Sequence, residues 1–211
     1  MDGMKDYGRF SGYGDTPPEK NGAFAWLLHI LKSLKSTGKA AVILPHGVLF
    51  RGNAEATIRK AIIDKGYIKG IIGLPANLFY GAGIPACILI FRKDRGTNNK
   101  VLFIDASGDG RYEKDKNQNK LRECDVKKIV DTYVQYKTDI HYADEPKFSH
   151  VATLEEIAEN DYNLNIPRYV DTYEEEAEID IVAVQQEIDA LETELAEVQA
   201  KMKEYLKELG M

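Results

Sequence analysis

Residues 40–92 read AAVILPHGVLFRGNAEATIRKAIIDKGYIKGIIGLPANLFYGAGIPACILIFR, and this stretch decides the fold. It holds two short apolar runs, Ala40 to Leu44 and Tyr67 to Gly73, on either side of an amphipathic segment, Asn53 to Lys65, which begins with a capping-type asparagine. This order predicts a strand, a helix and a second strand. About two dozen residues separate the two runs, which is enough for a crossover helix, so we expect parallel strands with a right-handed connection.

Further elements extend this unit on both sides. Two β-rich runs, Ala86 to Arg92 and Val101 to Asp105, predict strands that make the sheet mixed at one edge. Helical spacing of apolar residues predicts a helix over Ala23 to Leu34 and another over Asp125 to Tyr136. The second helix has four apolar residues that we expect on one face: Val126, Ile129, Val130 and Tyr133. Together these elements predict an α/β fold with a mixed sheet.

The rest of the chain divides into less regular parts. Residues 1–22 are rich in glycine and proline and predict an irregular loop, and residues 23–150 form the α/β part. Residues 151–175 are expected to be a connector, in which Val151 to Ala158 is a short strand or turn plus a helical turn. Residues 176–211 predict a long C-terminal helix.

The C-terminal helix has the clearest periodicity in the sequence. Apolar residues alternate by three and four, which is a sustained heptad repeat and predicts a coiled coil. The positions of this seam are Ile181, Val184, Ile188, Leu191, Leu195, Val198, Met202, Tyr205 and Leu209. Such a stripe either docks another chain, folds back on the α/β part or pairs with a second copy. Acidic residues predominate around it, which disfavours parallel self-pairing.

Composition excludes several classes of protein. The chain has no continuous apolar run long enough for a membrane span, and residues 1–10 lack the apolar stretch of a secretory signal, so we expect a cytoplasmic protein. Cys87 and Cys124 are far apart and lack a neighbouring histidine cluster, so we expect reduced structural thiols and no metal site. Residues 1–150 hold 24 basic against 17 acidic side chains, whereas residues 151–211 hold 4 against 17. A nucleic-acid partner suits the first part, and protein contacts suit the tail.

Two motif-like runs do not fit their chemistry. The run from Gly81 to Ala86 matches G-x-G-x-x-A, but a dinucleotide fingerprint needs a helix after it, and here a β-rich run follows. The Pro17-Pro18 pair lacks the amide residue before it and the aromatic residue after it that an amine-activating site would need. We therefore predict no dinucleotide site at the first run and a plain loop at the second.

The candidate site lies in two segments that follow predicted strands, Leu44 to Gly52 and Ile72 to Ala86. Ligand sites of open α/β sheets form at the carboxyl ends of strands. Phe79 or Tyr80, at the tip of a loop, could stack on a planar ligand. The alternative is that Phe79 fills the core and the glycines only turn the chain.

Four segments carry a resemblance to a known family. Residues 41–60 (AVILPHGVLFRGNAEATIRK), 71–93 (IIGLPANLFYGAGIPACILIFRK), 116–133 (KNQNKLRECDVKKIVDTY) and 159–180 (ENDYNLNIPRYVDTYEEEAEID) closely resemble the modification subunit of type I restriction-modification systems. Members of that family are S-adenosylmethionine-dependent methyltransferases that act on the N6 amine of adenine in DNA. The resemblance implies the C-terminal half of a Rossmann-like class I methyltransferase domain, followed by the coiled-coil helix.

The resemblance also implies roles for particular residues and partners. Phe79 would stack on the target base, with Tyr80 as the second choice, and Pro45, His46 and Gly47 would line the base pocket. For His46 a structural or pocket-lining role is favoured over that of a general base, because this chemistry can release its proton after methyl transfer. The seam positions from Ile181 to Met202 would bind the specificity subunit. DNA and the restriction subunit are further expected partners.

The sequence departs from the family in what it lacks. The family binds its cofactor with a glycine-containing loop and activates the amine with an Asn-Pro-Pro-Phe motif, and neither occurs in residues 1–211. We therefore expect no catalytic and no cofactor-binding residue in this chain and a separate N-terminal half that supplies both. S-adenosylmethionine is the expected cofactor of the complete enzyme but not of this chain alone. The alternative is a non-enzymatic, truncated interaction module that binds only the specificity subunit.

Overall fold

The computed structural model describes residues 7–94, 99–139, 141–172 and 181–208. The chain divides into two compact units, residues 1–173 and residues 174–211. The first unit is an α/β unit built around one mixed sheet, and the second unit contains the C-terminal helix.

The elements lie close to their predicted positions. The strands of the described residues are β1 (Lys39–Pro45), β2 (Ile68–Gly73), β3 (Ala86–Arg92), β4 (Val101–Asp105), β5 (Glu113–Lys114), β6 (Asn119–Lys120) and β7 (Ser149–Ala152). The α-helices there are α1 (Ala23–Ser33), α2 (Ala54–Asp64), α3 (Glu123–Thr138), α4 (Leu154–Glu159) and α5 (Ile181–Glu208). Short 3-10 turns follow at His46–Leu49 and Ile166–Arg168.

The sheet has the strand order β1-β3-β2-β4-β7. Strand β3 is antiparallel to both β1 and β2, so β1 and β2 run in the same direction, as predicted, but are not neighbours. Strand β4 is parallel to β2, and β7 is antiparallel to β4. The prediction of a sheet mixed at one edge is therefore incomplete, because an antiparallel strand also lies inside the sheet.

Both faces of the sheet are covered, each by a different set of helices. On one face, α1 and α2 pack through fully buried leucine and isoleucine side chains such as Leu28 and Ile58. On the other face, α3 packs through Ile129 against Ile72 and Leu102. The strands β2 and β4 are buried along their whole length, which explains their continuous apolar sequence.

Two local predictions on the helices are wrong in detail. Asn53 precedes α2, but its side chain makes no capping hydrogen bond, and its φ of 55° puts it in the left-handed region. On α3, Ile129 and Thr132 are buried, whereas Val126 and Val130 are exposed. The helix is rotated so that Tyr133 contacts the sheet at Gly70 and the two valines lie beside the contact rather than in it.

The expected loop and connector are parts of the core. Phe10 and Tyr13 from the predicted loop of residues 1–22 are buried against the α1 face. Within the predicted connector of residues 151–175, the segment that follows β7 contributes five buried side chains: Ile157, Leu164, Ile166, Tyr169 and Val170. The ring of Tyr169 stacks on Phe103 of β4 with centroids 4.0 Å apart. The predicted boundary at residue 150 is therefore wrong.

The C-terminal helix α5 extends over 28 residues. Its described seam side chains are exposed, among them Ile188, Leu191, Leu195 and Val198. Their pairing with another helix stays a prediction, and Leu209 and the side chain of Val184 lie outside the described residues. No helix in the described part of the chain is both long enough and apolar enough to cross a membrane.

Candidate functional site

The two predicted site segments meet at the carboxyl ends of β1 and β2. Pro45 is paired with Ala86 across the β1–β3 ladder, and the His46 amide donates to the carbonyl oxygen of Pro85 at 3.2 Å. The Leu74 amide donates to the carbonyl oxygen of Ala86 at 2.9 Å. These bonds hold the Pro85 end of the loop of residues 74–85 against the end of β1 and its Leu74 end against the start of β3.

The tip of this loop is a tight turn that carries two aromatic residues. The Ala82 amide donates to the carbonyl oxygen of Phe79 at 3.1 Å, and Gly81 has a φ of 72°. A turn with positive φ at its third residue favours glycine, which explains Gly81. Phe79 is 41% exposed and Tyr80 is 93% exposed, so Phe79 does not fill the core. The partly sheltered Phe79 is better placed than Tyr80 to offer an ordered ring face.

His46 turns inward from the same edge. Nε2 of His46 is buried beside Gly73 and has no hydrogen-bond partner within the described residues. Burial lowers the pKa of His46, although the Asp105 carboxylate and the polar backbone of Ala86 oppose the shift. The lowered pKa favours the neutral ring, and its half-buried position with Nε2 covered suits a wall of a pocket better than a base that exchanges protons with water.

Gly47 leaves room for an arginine. A Cβ atom at Gly47 would lie 2.7 Å from the guanidinium carbon of Arg51, which therefore rests directly on the Gly47 backbone. Arg51 approaches Glu55 at 3.9 Å. The positive charge of Arg51 is thus held next to the end of β1.

Gly73, at the end of β2, is the closest packing point below the site. A Cβ atom there would lie 2.6 Å from Cδ1 of the buried Ile166. We expect Gly73→Ala to lower the free energy of unfolding by about 1–3 kcal/mol through overpacking, measured by denaturant unfolding.

Ile166→Val supplies the matched control for this contact, because it removes the clashing Cδ1 atom. Alone it should cost about 0.5–1.5 kcal/mol. The double variant Gly73→Ala with Ile166→Val should be less destabilised than the sum of the single changes. Strict additivity would show that this contact does not limit the packing at Gly73.

The sequence reasoning missed several residues that shape this edge. Asp105 is buried at the end of β4, accepts from the Ser107 hydroxyl at 2.6 Å, and accepts through its backbone carbonyl from Arg111 at 2.7 Å. Gln118 and Asn119, next to and within β6, donate to backbone carbonyls of the loop of residues 74–85. The amide-rich run of residues 117–119 was the available signal, but amide side chains do not indicate which carbonyl groups they will bind.

The G-x-G-x-x-A run and the Cys87 thiol have structural explanations, whereas the expected structural role of Cys124 is not supported. Strand β3 begins at Ala86, so a strand rather than a helix follows the glycines of the G-x-G-x-x-A run, as predicted. The Cys87 thiol is buried and donates to the carbonyl oxygen of Leu44, and burial raises its pKa to about 12. Cys124 is exposed, and both thiols are free. Within the described ranges no group of three or more potential ligands could hold a metal ion.

Comparison with known proteins assigns the family. A family profile described as "N-6 DNA Methylase" matches residues 2–178, which is most of the chain. The chain belongs to the N-6 DNA methylase family. The resemblance of the four sequence segments to type I modification subunits is thereby confirmed, and adenine N6 methylation is the chemistry that the family name implies.

Individual relatives support the assignment to the N-6 DNA methylase family. It is 39% identical over 204 residues to the type I restriction enzyme HindI methylase subunit of Haemophilus influenzae, covering 94% of this chain and 46% of that protein. It matches the crystal structure of a type I methyltransferase subunit from Streptococcus thermophilus with 49% identity and a TM-score of 0.74, covering 82% of this chain and 35% of that one. The EcoKI M protein, at 22% identity, has a TM-score of 0.57 over 89% of this chain and 45% of its own, and shows a shared fold. The chain therefore spans less than half the length of these relatives.

Proposed function

We propose that these residues form the target-base and partner-docking part of a type I modification subunit, an S-adenosylmethionine-dependent methyltransferase specific for adenine N6. The observation that carries this proposal is the turn at Phe79 and Tyr80, which is held beside the ends of β1 and β2. This is the edge at which open α/β sheets bind ligands.

Methylation of a base within duplex DNA requires that the base leave the stack. An enzyme must then hold the flipped adenine by stacking and by contacts to its edge. Phe79 is proposed to stack on one face of the base, with Tyr80 as the second candidate. Pro45, His46 and Gly47 are proposed to line the adjoining wall, since they end β1 next to the base of the same loop.

The remaining chemistry needs groups that residues 1–211 do not provide. The exocyclic nitrogen of adenine is a poor nucleophile because its lone pair is delocalised into the ring, and acceptors of the Asn-Pro-Pro-Phe type draw that lone pair towards the methyl donor. S-adenosylmethionine supplies the methyl group. The residues do not fit a cofactor pocket of the family kind, since the G-x-G-x-x-A run leads into β3 rather than into a helix. We propose that another polypeptide segment contributes the cofactor loop and these acceptors.

The open edge of the sheet, at β1, supports the proposal that a further segment completes the sheet. Within the described residues β1 pairs only with β3, so its other edge has unpaired backbone groups. On the face that α3 covers elsewhere, Ile43 is exposed, and the opposing Ile88 is only half-buried. An open strand edge beside exposed isoleucine is a surface that proteins usually cover.

The isolated chain is expected neither to bind S-adenosylmethionine measurably nor to methylate DNA. Calorimetry with the cofactor and a methylation assay on duplex DNA check this. The complementary experiment uses a hybrid enzyme, in which these residues replace the matched segment of the Streptococcus thermophilus subunit. The hybrid is assembled with the specificity subunit of that system. The hybrid is expected to bind the cofactor and to methylate adenine.

The two experiments, on the isolated chain and on the hybrid enzyme, separate assembly of the complex from methyl transfer. A hybrid that binds cofactor and specificity subunit yet leaves adenine unmethylated would contradict the proposed function. Micromolar cofactor binding by the isolated chain would show that these residues already contain a cofactor site.

The exposed seam of α5 is proposed to dock the specificity subunit, which would carry the DNA sequence preference. Its side chains Leu191 and Leu195 are 57% and 56% exposed, so they are free to contact another helix. The restriction subunit is a further proposed partner, reached through the assembled complex.

A further inference from the structure

A small hairpin stands between β4 and α3. Strands β5 and β6 pair through Glu113 with Lys120 and through Lys114 with Asn119, and residues 115–118 connect them. The connection is rich in charge and amides, with the sequence Asp-Lys-Asn-Gln. We refer to residues 111–122 as the β5–β6 arm.

The arm is hydrogen-bonded to the loop that carries Phe79. Nε2 of Gln118 donates to the carbonyl oxygen of Leu78 at 2.6 Å. Asn119 donates through Nδ2 to the carbonyl oxygen of Ala76 at 2.8 Å and through its backbone amide to that of Asn77 at 2.8 Å. The three carbonyl groups immediately before Phe79 are thus all bound by two adjacent residues, so the arm determines where the turn stands.

The arm also carries positive charge at this place. Residues 111–122 include five basic and two acidic side chains. Lys114 pairs with Asp109, and Arg122 pairs with Asp125. Lys116 and Lys120 are exposed and form no ion pair in the described part of the chain, although Glu113 lies opposite Lys120 in the hairpin. Two exposed lysines outside any described ion pair therefore lie on the element that holds the Phe79 loop.

We infer that the β5–β6 arm is a DNA-binding element in which Lys116 and Lys120 bind backbone phosphates next to the flipped adenine, while Gln118 and Asn119 position the Phe79 loop. This inference rests on the proposed function. Phosphate contacts fix the register of a protein on DNA without reading the sequence. Because one element binds both the phosphates and the loop, docking on the backbone places the stacking ring at the extruded base.

The double variant Lys116→Ala with Lys120→Ala tests the phosphate contacts in the hybrid enzyme. The logarithm of DNA affinity is measured against the logarithm of salt concentration, with duplexes that contain or lack the target sequence. Each lost phosphate contact should lower the slope by about 0.9, so the pair should lower it by about 1.8. The loss should be equal on both duplexes, since these contacts do not read sequence.

A matched control changes the same charge elsewhere. Lys32→Ala with Lys35→Ala removes two exposed lysines at the end of α1. This end of α1 lies at the opposite end of the sheet from the arm, because Lys93, which follows β3, donates to the Leu31 carbonyl oxygen there. The control should leave the slope unchanged. An unchanged slope in the arm variant, or an equal drop in both variants, would overturn the phosphate role.

Gln118→Met with Asn119→Leu tests the positioning role, because both changes keep side-chain size and remove the two side-chain N–H donors, while the backbone bond from Asn119 to Asn77 remains. We expect kcat to fall about tenfold while the salt slope stays unchanged. The fluorescence of 2-aminopurine at the target position should rise, because the extruded base loses its stacking partner. An unchanged kcat and fluorescence would overturn this role.

The two proposals fail in different ways. If the unmodified hybrid binds cofactor but does not methylate adenine, the proposed function fails. If it methylates adenine and the arm variants behave as the unmodified enzyme does, only the arm is assigned wrongly.

Discussion

Phe79→Ala in the hybrid enzyme is expected to lower methylation by about five- to 150-fold, because stacking of a base on an aromatic ring contributes about 1–3 kcal/mol. The ring is partly sheltered, and the carbonyl groups before it are hydrogen-bonded, which fixes the turn. Little else can therefore move into the place of the ring. Cofactor affinity should change little, since the ring contacts the base. Single-turnover methylation together with calorimetry separates the two quantities.

Conservative changes distinguish a stacking role from a packing role. Phe79→Tyr and Phe79→Trp should keep much of the activity, because both keep a planar ring. Tyr80→Ala is the matched comparison on the same turn and should have the smaller effect, since that side chain is almost fully exposed. If Phe79→Ala is silent and Tyr80→Ala abolishes activity, the stacking residue is Tyr80.

Leu191→Asp with Leu195→Asp is expected to abolish copurification with the specificity subunit. Each leucine contributes about 1.5–3 kcal/mol when buried, and a buried carboxylate adds a further cost, so binding should weaken by roughly four orders of magnitude or more. Thermal unfolding of the α/β unit should be nearly unchanged, because both side chains are exposed. Pull-down and calorimetric melting measure the two effects.

Gln186→Asp with Thr193→Asp is the control on the same helix. These exposed polar positions lie away from the seam, and the change adds the same charge, so binding should persist. Loss of binding in both variants would indicate charge repulsion rather than a lost apolar contact. Unfolding of the α/β unit by the leucine changes would show that α5 belongs to its core.

The strands were predictable because their signal is local. Ala86 to Arg92 and Val101 to Asp105 are continuous apolar runs with clear ends, and both strands have these exact limits. The position of β3 between β1 and β2 depends on pairing between distant residues, such as Ile43 with Ile88, which no local pattern contains. The rotation of α3 also escaped prediction, because Val126 and Ile129 are equally apolar and only the sheet beneath decides which is buried.

The location of the site was predictable from the sequence, but the contacts between its residues were not. That Pro45 and Phe79 belong to one edge follows from the strand order and from the carboxyl-end rule. That Gln118 holds the carbonyl of Leu78, 40 residues earlier in the chain, does not follow, because amide side chains bind any carbonyl within reach. The packing of the His46 ring beside Gly73 likewise does not follow from the sequence, because it joins the ends of two strands that are distant in the chain.

The insertion of β3 between β1 and β2 sets an order for folding during synthesis. A ribosome delivers β1 and β2 before β3, and in the finished sheet these two strands lie roughly 10 Å apart, two strand spacings, with β3 between them. Until Arg92 has emerged, both strands expose unpaired inner edges that invite wrong partners. When the seven-residue strand β3 arrives, it pairs with β1 and with β2 at once, so residues 86–92 complete this part of the sheet in the nascent chain.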